Sequence, residues 1–504
     1  MFDFNISKFK NFFNHKNLYW VLYGLIFIFC CFVRVDLYLF ANDIHMDEAK
    51  IALELNEKSY SELFNPLGRH QVAPYIFLVL VKFVYNLLAH FSTNITYHDL
   101  VLRIIPLLAG IVCIPCFAWL LNKLFKNRAI TLLGMLLLAL NHTSIVYSTV
   151  CKQYSFEELI TVVVLILFLK IDFKKQFLYN YIIFICLGFS LFCSMTALFI
   201  LPGGFLYLIL KRVNKTYIKQ FLACFGIFLL IFAAYIINFL LPLYDAHFIN
   251  QVNGFYLKLE KYNYSLYKSL YAICQFIFRT SKFADVLAFS SLLSLVLILV
   301  KKVNDALLYV SPVFITIFMC CIKYYPLQER LLVFLIPCLI ILILYLLTLI
   351  PRKYIYKNVI TYILLFIFFI YGITHIPEKK YINGMQFQDK ALWNYFIQNY
   401  KNDGVVLACP IDSSLIYYNS LSLKLDLYHC DHYSTNLPEG TYYLITARGN
   451  KINKNIKRLF LDKKKSKILQ MRILNGWKIY NCFFVGEKPS RVSKAIYIKF
   501  KILK

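Results

Sequence analysis

Asn42-Asp43-Ile44-His45-Met46-Asp47-Glu48 is a short polar stretch between a first apolar segment and a long run of mostly apolar chain. Three of its seven side chains are carboxylates. In hydrocarbon a charged side chain costs at least about 2.5–3.5 kcal/mol, so acids clustered just past a membrane span form either a solvated loop or a site. The rest of the chain bears on which of the two it is.

The chain has 504 residues, of which 60% are hydrophobic and only 16% charged. With a mean hydropathy of +0.62, this composition excludes a soluble domain around one core and indicates a polytopic α-helical membrane protein. The formal charge of +28 does not point to nucleic acid, because the lysines and arginines fall largely in short runs between apolar segments. That is the pattern of loops retained on the cytoplasmic side. The 15 cysteines are scattered without metal-ligand spacing. Cys113-Ile114-Pro115-Cys116 has the form of a redox motif but lies inside an apolar run, where small core residues are the better reading. Cys409, Cys430 and Cys482 offer one disulfide if their segment faces an oxidising compartment.

Lys8, Lys10 and Lys16 precede the first apolar run, and no small-residue cleavage site follows it. A retained first span with the N-terminus inside is expected, which turns the Asp43–Glu48 stretch outward. Residues 49–64 mix apolar positions with Glu54, Glu57, Lys58 and Glu62 and read as a short helix at the membrane surface. Residues 74–91 are apolar but carry Lys82 and His90. A crossing there would put the basic connector 122–128 outside, so 74–91 is assigned to the first outer loop as an interfacial or re-entrant segment.

About eleven spans are then expected, at 18–35, 100–121, 129–147, 158–172, 178–194, 196–210, 221–243, 284–300, 306–322, 331–350 and 358–375. The outward loops are 36–99, 148–157, 244–283 and 323–330. From residue 376 onward charge returns and long apolar runs stop. Gln386–Tyr400 reads as an amphipathic helix; Val405–Ala408, Tyr442–Ile445 and Trp477–Val485 read as strands. Two domains are therefore expected, a membrane domain over 1–375 and a small α/β domain over 376–504 on the outer face. The basic tail Lys488–Lys504 is placed against phospholipid headgroups.

Five stretches of the outer loops, in order, resemble the polytopic glycosyltransferases of the GT-C fold, in particular the bacterial relatives of the protein O-mannosyltransferases and the lipid A aminoarabinose transferase. They are His45-Met46-Asp47-Glu48-Ala49, Gln71-Val72-Ala73-Pro74-Tyr75, Leu102-Arg103-Ile104-Ile105-Pro106 with Gly110, Tyr147-Ser148 with Lys152–Glu157, and Tyr325–Arg330. The resemblance implies transfer of a sugar from a polyprenyl-phosphate carrier to an unidentified glycan, lipid or protein acceptor. The transfer would occur with inversion, at the outer face of what would be a bacterial inner membrane.

Such a reaction needs a carboxylate to take the acceptor's proton and cations to stabilise the departing phosphate. Asp47 matches the family's catalytic acid. Lys152 and Arg330 are the candidates for the donor phosphate, Arg for its planar fork and Lys as a point charge; for Arg330 a pair with Glu329 or snorkelling is an equal alternative. Glu48 is expected to orient His45 or a basic side chain at the substrate site, whereas Asp43 reads as solvated. Glu157 stands where relatives place an acid that binds acceptor or metal. Relatives often carry a second Glu near the position of Val150, so no metal site and no cofactor are expected. Gln71, with Arg69 and His70, lines the acceptor entrance or caps a polar loop. Tyr154 stacks on sugar or belongs to an interfacial aromatic belt, and Arg103 snorkels or holds the loop acids, with a structural place favoured.

A transporter or lipid flippase is the rival class. It would carry ionisable or broken positions deep within its spans, where this chain shows few acids. A scaffold without catalysis is the third. Gly203-Gly204 lacks a following Lys-Ser/Thr, so no nucleotide-phosphate loop is present and a lipid-linked donor is the one expected.

Overall fold

The structure, a computed structural model, describes residues 15–40, 44–68, 71–243 (except 175, 212 and 214), 274, 291, 305–347 (except 323 and 326–328) and 356–377 (except 375). Beyond these it describes 389–400, 405–408, 413–422, 427–429, 440–446, 466–474, 478–479, 491–492 and 495–502. Apart from Cys274 and Ser291, the expected span 284–300 and the loop 244–283 lie outside the described residues, as do Asp43, Arg69, His70 and the three C-terminal cysteines.

Among the described residues, four helices are long and apolar enough to cross a membrane: Asn17–Phe40, Ile95–Phe125, Ile218–Leu243 and Arg330–Leu347. Shorter apolar helices lie at Tyr75–Phe91, Arg128–Ala139, Phe177–Cys193, Ala197–Lys211, Leu307–Cys320 and Thr361–Ile370. Tyr154–Lys170 forms a further helix that packs on Ile104–Phe125 and Ala197–Lys211. Peripheral helices keep large apolar side chains outward, such as Phe32, Ile28 and Leu230. The residues of Arg330–Leu347 are mostly buried. Lipid is the solvent that this distribution fits, since every backbone group inside these helices is satisfied within its own segment.

The expected span 129–147 is in fact two helices, Arg128–Ala139 and His142–Tyr147. Asn141 breaks it: its side-chain oxygen accepts from the Ser144 N–H and starts the second helix. The Ala139 carbonyl, freed by the break, accepts from Arg34 at 2.8 Å. Before it, the connector is compressed to a tight turn in which Lys126 takes a left-handed conformation (φ 48°) and Asn127 caps the next helix through Ile130 N–H. The helix Ile104–Phe125 contains Pro115, which removes one internal hydrogen bond. A π turn at Ile236–Leu240 extends the helix Ile218–Tyr235.

The described apolar residues form two main cores. One lies among the membrane helices. The second belongs to the first loop and is built from Ile44, Ile51, Leu53, Leu55, Phe77, Val81 and Leu102, joined by Trp393, Phe396, Tyr417 and Tyr418 from far along the chain. This overturns the expectation of a surface helix over 49–64. The helix runs Met46–Glu57, and Ile51, Leu53 and Leu55 are all buried. Its apolar positions have no single face because neighbours surround it, among them the helix Ser413–Leu421. Tyr75–Leu88 is a helix that packs on Ile95–Leu102, Ile104–Phe125 and Phe177–Cys193.

The helix Asp389–Asn399 falls within the expected 386–400. Strands β1 (Val405–Ala408), β2 (Leu427–His429), β3 (Gly440–Thr446), β4 (Ser466–Leu474) and β7 (Ala495–Ile502) form one sheet in the order β2-β1-β3-β7-β4. β1 is parallel to β2 and β3, while β7 runs antiparallel to both β3 and β4. β5 (Lys478–Ile479) and β6 (Arg491–Val492) pair separately; the remainder of the expected strand Trp477–Val485 lies outside the described residues. The basic tail expected against headgroups thus contributes β7 to the sheet interior, because its alternation of Ile496, Ile498 and Phe500 with Tyr497, Lys499 and Lys501 has the period of a strand.

Lys82, the charge that interrupts the apolar run 74–91, has a defined task. Its ammonium donates to the carbonyls of Leu55 and, at 2.6 Å, Lys58, closing the C-terminal end of the helix Met46–Glu57. Lys82→Met keeps the stem and loses those donors. The expected result is a destabilisation of about 1–3 kcal/mol, read as a lower unfolding temperature of the detergent-solubilised protein; an unchanged temperature would refute the assignment.

Candidate active site

Asp47 and Glu48 open the helix Met46–Glu57, where carboxylates favour the positive end of the helix dipole. His45 is the N-cap. Its Nδ1 accepts from the Asp47 N–H at 3.2 Å, while its own N–H donates to Glu48 Oε2 at 2.8 Å. This is a reciprocal capping box with imidazole in place of the usual hydroxyl. Burial lowers the His45 pKa against the raising effect of Asp47 and Glu48, so the ring stays neutral and able to accept.

The two neighbouring acids have separate surroundings. Glu48 is fully buried. Arg103 grips it bidentately, Nε to Oε1 at 2.8 Å and NH2 to Oε2 at 2.9 Å, and the Cys151 N–H donates to Oε1 at 2.5 Å. Burial pushes the Glu48 carboxyl up, and Arg103 together with the two backbone N–H groups brings it below its ordinary value. Glu48 was expected to orient His45 or a basic side chain at the substrate site; it holds the His45 N–H and Arg103, and these protein donors together with the Cys151 N–H occupy both of its oxygens. The Arg103 reading as a structural residue accords with this geometry.

Asp47 keeps some exposure and meets Arg330, whose NH1 donates to Oδ2 at 2.8 Å. Lys50 lies 4.0 Å from Oδ1. Burial alone would raise the Asp47 pKa, but Lys152 and Arg330, with Lys50, outweigh it and hold the carboxyl at about 2. Lys152 is itself buried, and its ammonium donates to Gln71 Oε1. Desolvation, only partly opposed by Asp47, brings its pKa down to about 8.

Arg330 is brought in by the 3-10 turn Glu329–Leu335, which packs against Tyr154–Lys170 and His142–Tyr147. Tyr154 sits edge-on to Tyr147 with ring centroids 5.0 Å apart, and both rings bear electrostatically on Arg330. Asp47, Lys152, Arg330, Gln71 and Tyr154, drawn from four separate stretches, therefore converge. Glu157 does not join this pairing: it is buried one turn further along, against the Met195 backbone and near Tyr235. Among the described residues, no three His, Cys, Asp or Glu side chains gather as a metal site.

One polar network was not read from the sequence. Arg34, fully buried in the first apolar helix, donates to Cys30 Sγ and contacts Ser144 Oγ, which donates to Glu158 Oε2 at 2.7 Å. Arg34 was visible as an ionisable residue inside an apolar segment, a signal worth following by default. Its partners Ala139 and Ser144, more than a hundred residues away, were not.

No family model and no curated protein matches the chain. Solved structures do. The apo crystal structure of ArnT from Cupriavidus metallidurans is similar over 94% of this chain and 97% of its own, with a TM-score of 0.53 at 10% identity. ArnT bound to undecaprenyl phosphate is similar over 95% and 97%, with a TM-score of 0.50 at 10% identity. An oligosaccharyltransferase from Archaeoglobus fulgidus, in complex with Zn and sulfate, aligns over 84% of this chain and 67% of its own at 12% identity and a TM-score of 0.47. At this identity the ArnT likeness establishes the fold: the chain has the GT-C membrane fold that its loop motifs resemble.

Glu48→Gln leaves Arg103 buried beside a neutral partner. The expected loss is about 3–5 kcal/mol of stability. Adding Arg103→Met is expected to recover part of it, because the uncompensated charge is gone. Thermal unfolding of the three proteins in one detergent measures this, and a double variant no better than the single one would count against a closed ion pair.

Proposed function

We propose that this chain is a membrane glycosyltransferase that moves a sugar from a polyprenyl-phosphate-linked donor to an acceptor hydroxyl or phosphate at the outer face of the membrane, with inversion. The observation that carries the reading is the contact of Asp47 with Arg330 at 2.8 Å, with Lys152 beside them. One carboxylate and two cations with a polar amide and a tyrosine are what this transfer asks of a protein. The fold supports the donor class, because ArnT has been crystallised with undecaprenyl phosphate. We read the chain as crossing a bacterial inner membrane about eleven times, with residues 376–504 as an α/β unit outside.

The resting pair also suggests an order of events. While Arg330 and Lys152 serve Asp47, its proton affinity is too low for a good base. The donor's phosphate oxygens attract the same two cations. As they engage the phosphate, Asp47 loses its counter-charges and its affinity for a proton climbs toward the ordinary carboxylate value. The acceptor oxygen then attacks the anomeric carbon and passes its proton to Asp47. The bond from that carbon to the phosphate oxygen breaks, and the electron pair leaves with the phosphate, neutralised by Arg330 and Lys152. A single displacement inverts the configuration. Gln71 holds Lys152 in place, and Tyr154 lines the sugar's path. No metal ion has a part in this reading.

The buried Arg34–Ser144–Glu158 network is the observation that favours the second reading, a lipid or saccharide transporter. Transfer itself distinguishes the two. In membranes given a panel of radiolabelled polyprenyl-phosphate sugars, wild type is expected to transfer one of them, unaffected by EDTA, and Asp47→Asn to be slower by about 10²–10⁴-fold at equal insertion. Equal rates in both proteins would remove Asp47 as the base; no transfer from any donor would favour the transporter.

The pH profile supplies an independent check. Lys152 is protonated below about 8 and neutral above it, so its attraction for phosphate is complete below that pH and lost as the pH rises through it. KM for the donor is expected to climb above pH 8 in wild type and to stay level to a higher pH in Lys152→Arg, since guanidinium keeps its charge. A wild-type KM that is flat up to pH 10 would exclude Lys152 from donor binding.

A further inference from the structure

We propose that Tyr418 is a positioning residue for Asp47, so that the C-terminal helix Ser413–Leu421 completes the site; this rests on the transferase reading only for its kinetic consequence. The side chain of Tyr418 is fully buried. Its hydroxyl oxygen accepts from the Ile44 N–H at 3.0 Å and donates to Asp99 Oδ2 at 3.4 Å. These partners lie 374 and 319 residues away in the chain.

The position of Ile44 gives the contact its meaning. Ile44 immediately precedes His45, the N-cap, and lies outside the helix Met46–Glu57. Its N–H cannot find an acceptor within that helix, and a buried backbone N–H requires one. Tyr418 provides it. From Ile44 the connection to Asp47 is short, because His45 Nδ1 accepts from the Asp47 N–H and the His45 N–H is held by Glu48. Asp47 is therefore fixed from both sides: on one by Tyr418 through Ile44 and His45, on the other by Arg103 and the Cys151 N–H through Glu48.

Tyr418 is in turn held rigidly. Asp99, which receives its hydroxyl hydrogen, is buried in the helix Ile95–Leu102. The neighbouring Tyr417, also fully buried, packs its ring against that of Tyr418 with centroids 5.5 Å apart. Trp393, also fully buried, donates from Nε1 to Ser422 Oγ at 3.0 Å, tying the helix Asp389–Asn399 to the end of Ser413–Leu421. A hydroxyl in so fixed a frame sets where the loop before Asp47 lies, and a misplacement of about 1 Å at a reacting group costs as much as 10²-fold in rate.

The test is Tyr418→Phe, which keeps the ring and removes the hydroxyl, with two readouts. In the first, kcat for sugar transfer is expected to fall about tenfold while KM for the donor changes little, since Lys152 and Arg330 are untouched. The second needs no catalysis: in an Asp47→Cys background, the rate at which a charged thiosulfonate labels position 47, followed by peptide mass spectrometry, is expected to rise severalfold when Tyr418→Phe is added. Trp393→Phe loosens the same helix but leaves the Tyr418 hydroxyl on the Ile44 N–H, and is expected to move both readouts by clearly less than Tyr418→Phe. Asp99→Asn, which weakens the acceptor orienting the hydroxyl and also removes a charge that bears on Arg103, is expected to give a smaller change of the same kind and serves if Tyr418→Phe does not fold. Unchanged kcat and labelling in folded Tyr418→Phe overturn the proposal, as does an equal effect from Trp393→Phe. Faster labelling in a protein that transfers no sugar from any donor would uphold the positioning role and defeat the transferase reading instead.

Discussion

The ion pair between Glu48 and Arg103 is the constraint on which the loop core around the helix Met46–Glu57 depends. Both partners are fully buried. Removing two charges from water costs several kcal/mol for each, and that cost is recovered only when every lone pair and proton finds a partner. Here the bidentate guanidinium, the Cys151 N–H and the His45 N–H meet that demand at Glu48. The pair thereby joins three distant places at one point: the start of the helix Met46–Glu57, the entry to the helix Ile104–Phe125, and the loop that delivers Lys152. The assembly cannot slide without exposing an unpaired buried charge.

Next to this closed pair stands an open one. Asp47 and Arg330 are adjacent in space to Glu48 and Arg103 yet remain partly exposed, and a second cation, Lys152, shares the field. The contrast between the two pairs separates support from chemistry. A fully enclosed pair has no valence left for a ligand, whereas two cations around one carboxylate carry an excess of positive charge that an anion can take up. Neighbouring acids in one helical turn thus have opposite surroundings, one enclosed and one partly open.

The membrane half obeys a different solvent. Its peripheral helices turn apolar side chains outward and satisfy their backbones internally. Where a helix breaks, at Asn141, the freed Ala139 carbonyl is met by Arg34, and Arg34 is linked on through Ser144 to Glu158. A charge buried in this region stabilises the break after which His142–Tyr147 packs on the turn that carries Arg330, so the Arg34 network and the Asp47 cluster share an element.

The amino-acid sequence alone determined that this is a polytopic helical membrane protein, because apolar length and the distribution of lysine and arginine report directly on a bilayer. It also singled out Asp47, Lys152 and Arg330, through loop motifs that resemble those of the GT-C glycosyltransferases. Local signals go no further than local structure. Residues 49–64 read as a surface helix because charged side chains interrupt the apolar ones, and nothing nearby in the chain shows that Ser413–Leu421 covers them. Glu48 could not be separated from Asp47 by sequence, because Arg103 and the Cys151 N–H are decisive and both come from elsewhere. Tyr418, Asp99, Arg34 and Glu158 acquire their roles only through contacts spanning more than a hundred residues or through the partners of such contacts. Composition and periodicity fix where a segment can reside, since solvent acts on each residue separately; pairing depends on which buried donors and acceptors meet, and only the folded chain brings them together.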